Sequence, residues 1–253
     1  MRDGGSLRHL ALMMGALMAV ACAPRGTLVG NVQYELEQTG KAAANFEPKQ
    51  FIKADIDRLS DVHRRTASAS LHLLAEKLYK RNPREWRKTS AVSMEAALDS
   101  LFDPRSRFQH PDLANVRGTD AIVLGLREDF TGDRVAAFIS GLGGMLNEAF
   151  EHKDEFFLTD TLEPQKLYNS ARNVEIAAWK LANARDASGQ LLLLSNEMAA
   201  GQPANLSFER EFGKLIGHLD LLAIMLAERH QRTIAHIVQN IATAIFLPVG
   251  ALR

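Results

Sequence analysis

Apolar residues are distributed along this chain in two ways. Leu10 to Val20 is an unbroken apolar run. It is about half the ~20 residues that a spanning helix needs. Elsewhere apolar positions recur at spacings of three and four, the signature of amphipathic helices. Residues 49–81 place Ile52, Ile56, Leu59, His63, Ala67, Leu71, Leu74 and Leu78 on one face, with Asp57, Asp61, Arg64 and Arg65 expected opposite. The small residues Thr66 to Ser70 invite close approach by another helix. Residues 161–186 repeat the pattern with Leu167, Ala171, Val174, Ala178 and Leu181. Residues 206–247 carry it furthest, through Leu215, Leu219, Leu222, Leu226, Ile234, Ile237, Ile241 and Ile245, with Pro248 and Gly250 as the stop.

Shorter elements fill the intervals. Val92–Phe102 reads as a helix capped by Ser90 or Ser93 and residues 103–117 as a loop; Ala121–Leu126 fits a buried strand or a turn of core helix, and the helical neighbours favour helix. Thr131-Gly132-Asp133 opens a helix running to about His152. Its middle is Ser140-Gly141-Leu142-Gly143-Gly144, and each glycine costs about 1 kcal/mol relative to alanine. Ala137, Ser140, Gly141 and Gly144 share one side. They make a notch for a neighbouring backbone or a flat ligand. A phosphate loop does not fit, because no Gly-Lys-Ser/Thr follows. After a break at Ser188-Gly189, Gln190–Ala200 is expected to be an apolar helix, and residues 201–205 a turn. The expected fold is therefore all-α. A bundle of about six to eight helices spans 49–253, behind a signal segment (1–21) and a tether (22–48) punctuated by Pro24, Gly26, Gly30, Gly40 and Pro48.

Composition narrows the function classes. Lys+Arg and Asp+Glu are 30 each, so no global charge draws nucleic acid or an acidic substrate. A single cysteine, Cys22, rules out an internal disulfide. There is no HExxH, GxSxG or Glu-x-x-His motif, and no cofactor is expected. Arg2 and Arg8, the apolar run and Ala21 together make a secretory signal ending at Cys22. Ala19-Val20-Ala21-Cys22 resembles the lipobox of bacterial lipoproteins, although Ala19 stands where leucine is commonest and Asp3 is unusual in the basic leader. The resemblance implies that Cys22 is acylated, with palmitate among its chains, and becomes the N-terminus. Ala23, rather than Asp, after the cysteine then favours the outer membrane, facing the periplasm. The similarity is to uncharacterised lipoproteins, so it implies a place in the envelope and no activity.

Candidate binding residues remain. Tyr168, Arg172, Glu175 and Trp179 lie at i, i+4, i+7 and i+11, with Asn169 and Asn173 beside them. Tyr, Trp and Arg are types enriched at binding hot spots. The same strip would also serve as a helix–helix boundary with an internal ion pair. Lys77, Lys80, Arg81, Arg84, Arg87 and Lys88, interleaved with Tyr79 and Trp86, form a local basic surface for anionic head groups or a solvated corner. His63 and His230 fall on inward stripes and are candidate metal or cofactor ligands. The run Glu151 to Asp160 is acidic with one histidine. The chain reads as a non-catalytic binding or scaffold protein. It would be held to the membrane by lipid and meet an envelope protein or glycan, with no role for nucleic acid. The alternatives are a bundle holding a small apolar or metal-containing ligand, and an envelope hydrolase.

Overall fold

The computed structural model describes residues 55–157, 159–196 and 205–250, all within one compact unit spanning 45–253. Cys22, the tether and the start of the first expected helix lie outside the described residues. Seven α-helices and one 3-10 turn make up the described part, with no sheet among the described residues. They are α1 (Asp55–Arg81), α2 (Pro83–Trp86), α3 (Met94–Leu101), α4 (Thr119–Gly125), α5 (Arg134–Ala149), α6 (Pro164–Asn183) and α7 (Ser207–His230), with the 3-10 turn at Pro111–Leu113. The all-α reading holds. None of these helices is long and apolar enough to cross a membrane.

Helix α5 is the centre. Val135 to Ile139 and Leu142 are fully buried, so it is apolar on every side, as a helix surrounded by others must be. The helices α1, α2, α3, α4 and α6 pack against it, and α7 closes the layer by packing on α1 and α6. Phe138 of α5 meets Phe212 of α7 edge to face, with ring centroids 6.4 Å apart. The glycine notch is filled by protein. A Cβ on Gly141 would lie 2.5 Å from Ile122 Cγ1 and 2.7 Å from the Gly118 carbonyl oxygen. One on Gly143 would lie 2.3 Å from the Phe108 ring. The glycines therefore let α4 and Phe108 approach the α5 backbone directly, which offsets their low helix propensity.

The N-terminus of α5 is fixed by carboxylates. Asp133 Oδ1 accepts from the Ala136 N–H at 2.9 Å, and Glu85 Oε2 accepts from the Arg134 N–H at 2.8 Å. The Arg134 guanidinium turns back and donates to the carbonyls of Gly125, Arg127 and Glu128, closing the end of α4. Ser93, one of two expected caps, holds α3 through the Ala96 N–H. At α6 the helix opens at Pro164 with Glu163 as cap, later than the expected start at 161.

Three expectations are corrected. First, α7 ends at His230, well short of 247. Gln231 takes a left-handed conformation (φ 53°), and the Arg232 N–H bonds back to the Ala227 carbonyl at 2.9 Å. The chain beyond is claimed by side chains of α6. Gln165 brackets Ala235, donating to its carbonyl and accepting from its N–H. Asn173 does the same for Leu247, at 2.8 and 2.6 Å. Asn169 donates to the Pro248 carbonyl. Backbone groups satisfied this way are withdrawn from a helical ladder. Second, residues 190–196 are irregular rather than helical. The Asp186 carboxylate accepts from the N–H groups of Ser188 and Gln190, and Gly189 adopts φ +80°. The Leu192 N–H then goes to Ala184, and Asn82 brackets Leu194. Residues 197–204 lie outside the described residues. Third, Asp57 and Asp61 are buried, not on the wet face of α1, and Asp61 Oδ1 accepts from the Phe156 N–H.

These clamps give a direct expectation. Asn173→Ala leaves the Leu247 N–H and carbonyl without their partner in a buried setting, at a cost of about 1–3 kcal/mol. Urea unfolding should show that loss, with amide exchange accelerated first at Leu247. A stability unchanged from wild type would show that the clamp contributes nothing.

Candidate functional site

A cleft of about 590 Å³ lies where the loop before α4, the end of α5 and the C-terminal segment meet. Two of its walls are set by local backbone geometry, and the third, Phe246–Gly250, is held by Asn169 and Asn173 of α6. Loop 103–118 starts with an Asp103 turn whose carboxylate accepts from Arg105. Two successive left-handed residues follow, Arg107 (φ 48°) and Phe108 (φ 58°). Such residues cost on the order of 1–2 kcal/mol each. The compensation at Phe108 is visible: its ring packs against Gly143 and meets Phe102 edge to face at 5.7 Å. Arg107 is thereby turned outward and exposed at the rim. Arg117 stands at the same rim, donating to the Gln109 amide oxygen at 2.6 Å. Gly118 (φ 55°, ψ −140°) starts α4 in a conformation open to glycine.

The second wall is the end of α5. Glu151 and His152 are again both left-handed, with φ 54° and 56°. The His152 ring is held on both nitrogens, by Asn147 Nδ2 at 2.9 Å and by Glu148 Oε2 at 2.8 Å. An imidazole so committed is a structural brace rather than a free base. Buried Lys166 lies 2.8 Å from Glu151 and 3.9 Å from Glu148, which offsets their charge. Phe108, Met145 and the stretch Phe246–Val249 give the cleft apolar surface. The result is an apolar trough with two guanidiniums at its rim, one unpaired among the described residues and one held only by a neutral amide.

A second polar cluster lies below α5. The Tyr79 hydroxyl donates to Asp133 Oδ2 at 2.8 Å, and Lys88 bridges Glu85 and the Gly132 carbonyl. Asp112 Oδ2 accepts from the Asp133 N–H, and the His110 ring accepts from the Asp112 N–H. Burial raises the Asp133 carboxyl above the usual range and outweighs the bonds it accepts; the nearby Glu85 charge pushes the same way. Burial beside Asp133 also raises Tyr79. Perturbed groups of this kind occur at catalytic sites and in structural networks alike. Here each carboxylate caps or braces a helix start. A cavity of about 420 Å³ borders the cluster, lined in part by Tyr79, Lys88, Ser100, His110 and Asp112.

The residues singled out from sequence fare differently. Tyr168, Arg172, Glu175 and Trp179 share one face of α6 and are all half-buried. Arg172 pairs with Glu175 at 2.9 Å and Asp220 of α7 at 2.5 Å, and lies over the Tyr168 ring. Tyr168 meets His236 edge to face. Burial raises both Asp220 and Glu175 despite the arginine. Much of the strip's polar capacity is thus directed inward, and the flanking asparagines hold the C-terminal segment. The basic stretch is divided too. Lys77 is half-buried and sits 5.8 Å from the Phe208 centroid, Lys80 pairs with Glu76, and Lys88 with Glu85. Arg81 is half-buried, Arg87 lies over Trp86, and Arg84 is exposed.

His63 and His230 are not brought together. His63 instead meets His218, with Nδ1 atoms 3.1 Å apart and rings edge to face. His230 is more than three turns farther along α7, about 18 Å. Burial lowers the His63 pKa. Among the described residues no three His, Cys, Asp or Glu side chains converge to hold a metal ion. The rim arginines Arg107 and Arg117 carried no sequence signal, since they sit in an irregular loop. The glycine notch was the legible part, and its Gly144 end lines the cleft.

No protein-family model, curated protein or solved structure matches this chain.

Proposed function

We propose that this chain is a lipid-anchored binding protein of the bacterial envelope, and that the 590 Å³ cleft receives an amphipathic anion. The observation that carries the reading is the pairing of two rim guanidiniums, Arg107 and Arg117, with an apolar trough of Phe108, Met145 and Phe246–Val249. Arginine presents a planar fork of donors that fits carboxylate and phosphate oxygens, and it is less strongly hydrated than lysine. Ligand sites of this size are mostly apolar with a few placed polar groups. The Ala19–Cys22 sequence supports the anchor, which puts the cleft where fatty acids and phospholipids are at hand. The left-handed residues around the cleft are a further support, because strain of this kind is concentrated at ligand sites.

Dansyl-undecanoic acid is a suitable probe. The wild-type chain should bind it with enhanced emission. The pair Arg107→Glu, Arg117→Glu should weaken binding at least tenfold, equivalent to about 1.4 kcal/mol or more, with unchanged circular dichroism. Equal affinity in the double variant would remove the cleft from consideration.

A further inference from the structure

We infer that His63 of α1 and His218 of α7 form a two-imidazole site for Zn2+ that staples the two helices together. Their Nδ1 atoms are 3.1 Å apart, their ring centroids 5.1 Å, and the rings are inclined at 73°. Zn–N bonds of about 2.0–2.1 Å at a tetrahedral angle set two imidazole nitrogens about 3.3 Å apart and their ring centres about 5.2 Å apart. At a right angle the same bonds set the nitrogens about 2.9 Å apart. The observed pair lies between these two arrangements. Nitrogens on facing helices thus stand already where neighbouring ligands of one metal ion stand. The other histidines are mostly spent singly: His72 lies on Phe102, His110 accepts from the Asp112 N–H, His152 is held on both nitrogens, and His236 meets Tyr168.

The surroundings suit a partly open metal site. His63 is buried on the apolar stripe of α1, one turn before Ala67, and Leu215 and Leu222 flank His218 on α7. These side chains keep water from one side of the pair. On the other side His218 is half-buried, and Gly213 and Gly217 carry no side chain; a Cβ on either would meet nothing within 4 Å. That opening admits the water molecules that complete a four-coordinate shell when protein ligands are few. Imidazole is a ligand suited to zinc, copper and nickel alike. With both rings neutral, one Nδ1 carries a proton and the other accepts it. A metal ion takes the place of that proton, and the donor ring holds its proton on Nε2 instead. The two ligands are 155 residues apart, so they converge only in the folded chain and metal binding stabilises that state. The inference goes beyond the cleft and does not depend on it.

The test is calorimetric titration and thermal unfolding of the full chain with zinc chloride, in a Cys22→Ser background that removes its one thiol. The expected result is binding of Zn2+ and a midpoint raised by several degrees, reversed by EDTA. His218→Gln should keep the far-ultraviolet circular dichroism of the parent, bind Zn2+ at least tenfold more weakly, and lose the midpoint shift. His63→Gln should behave alike; should that buried substitution prevent folding, His218→Gln alone decides. Electron paramagnetic resonance with Cu2+ as the probe needs no variant, and should show two imidazole nitrogens on the metal. A chain indifferent to Zn2+ overturns the inference. So does equal Zn2+ affinity in parent and His218→Gln, which would assign the ion to another part of the chain. A Cu2+ spectrum without two imidazole nitrogens overturns it as well.

Discussion

Gly141→Leu is expected to lower the unfolding free energy by about 3 kcal/mol or more. The first added carbon already conflicts with backbone: a Cβ there sits 2.7 Å from the Gly118 carbonyl oxygen, 2.9 Å from the Ile122 nitrogen and 2.5 Å from Ile122 Cγ1. Overpacking of a filled core costs typically 1–3 kcal/mol, and here α4 as a whole must move away from α5. Gly141→Ala isolates the first contact and should cost about 1–3 kcal/mol. Higher helix propensity would return about 1 kcal/mol at most. Urea unfolding of the three proteins checks the ordering, wild type above alanine above leucine. An alanine variant more stable than wild type would mean that α4 does not approach α5 this closely.

The second large effect is at Asp133, which is fully buried. Asp133→Ala removes the cap of the central helix, worth about 0.5–2 kcal/mol. It also leaves the buried Tyr79 hydroxyl without its acceptor, worth about 1–3 kcal/mol. The combined loss should be about 2–4 kcal/mol. Asp133→Asn keeps an accepting oxygen and should cost less. The pH dependence separates charge from shape. Burial raises the Asp133 carboxyl, so the folded state binds that proton more tightly than the unfolded chain does. The linked stability is full below the unfolded carboxyl pKa and declines as pH rises through the raised folded value. Wild type should therefore gain stability relative to Asp133→Asn as pH falls from neutral toward about 4. A difference between the two that does not vary with pH would show that the carboxyl titrates normally.

The sequence pattern located much of what builds the cleft and little of what charges it. The notch of Ala137, Ser140, Gly141 and Gly144 was visible because helical spacing puts those positions on one side. Its partner was not visible, since nothing local in Gly118–Ile122 says which helix it will meet. Arg107 and Arg117 reach one rim because two left-handed residues redirect the loop. Tyr168, Arg172, Glu175 and Trp179 were correctly placed on one face of α6. What α7 and the C-terminal segment take from that face depends on Asp220 and His236, distant in sequence.

By itself, then, the sequence determined the all-α class, the long helices α1, α5 and α6, and the helix starts next to Ser90 or Ser93 and at Thr131–Asp133. Each of these follows from interactions within a few residues. Tertiary structure decided where α7 stops, why 190–196 is not helical, and how the cleft is assembled. At each of those places the backbone partners are side chains far along the chain: Gln165 for Ala235, Asn173 for Leu247, Asn82 for Leu194. Apolar periodicity encodes a helix's preferred face. It cannot encode a competing hydrogen-bond partner some 70 to 110 residues away, and here that competition sets the outcome.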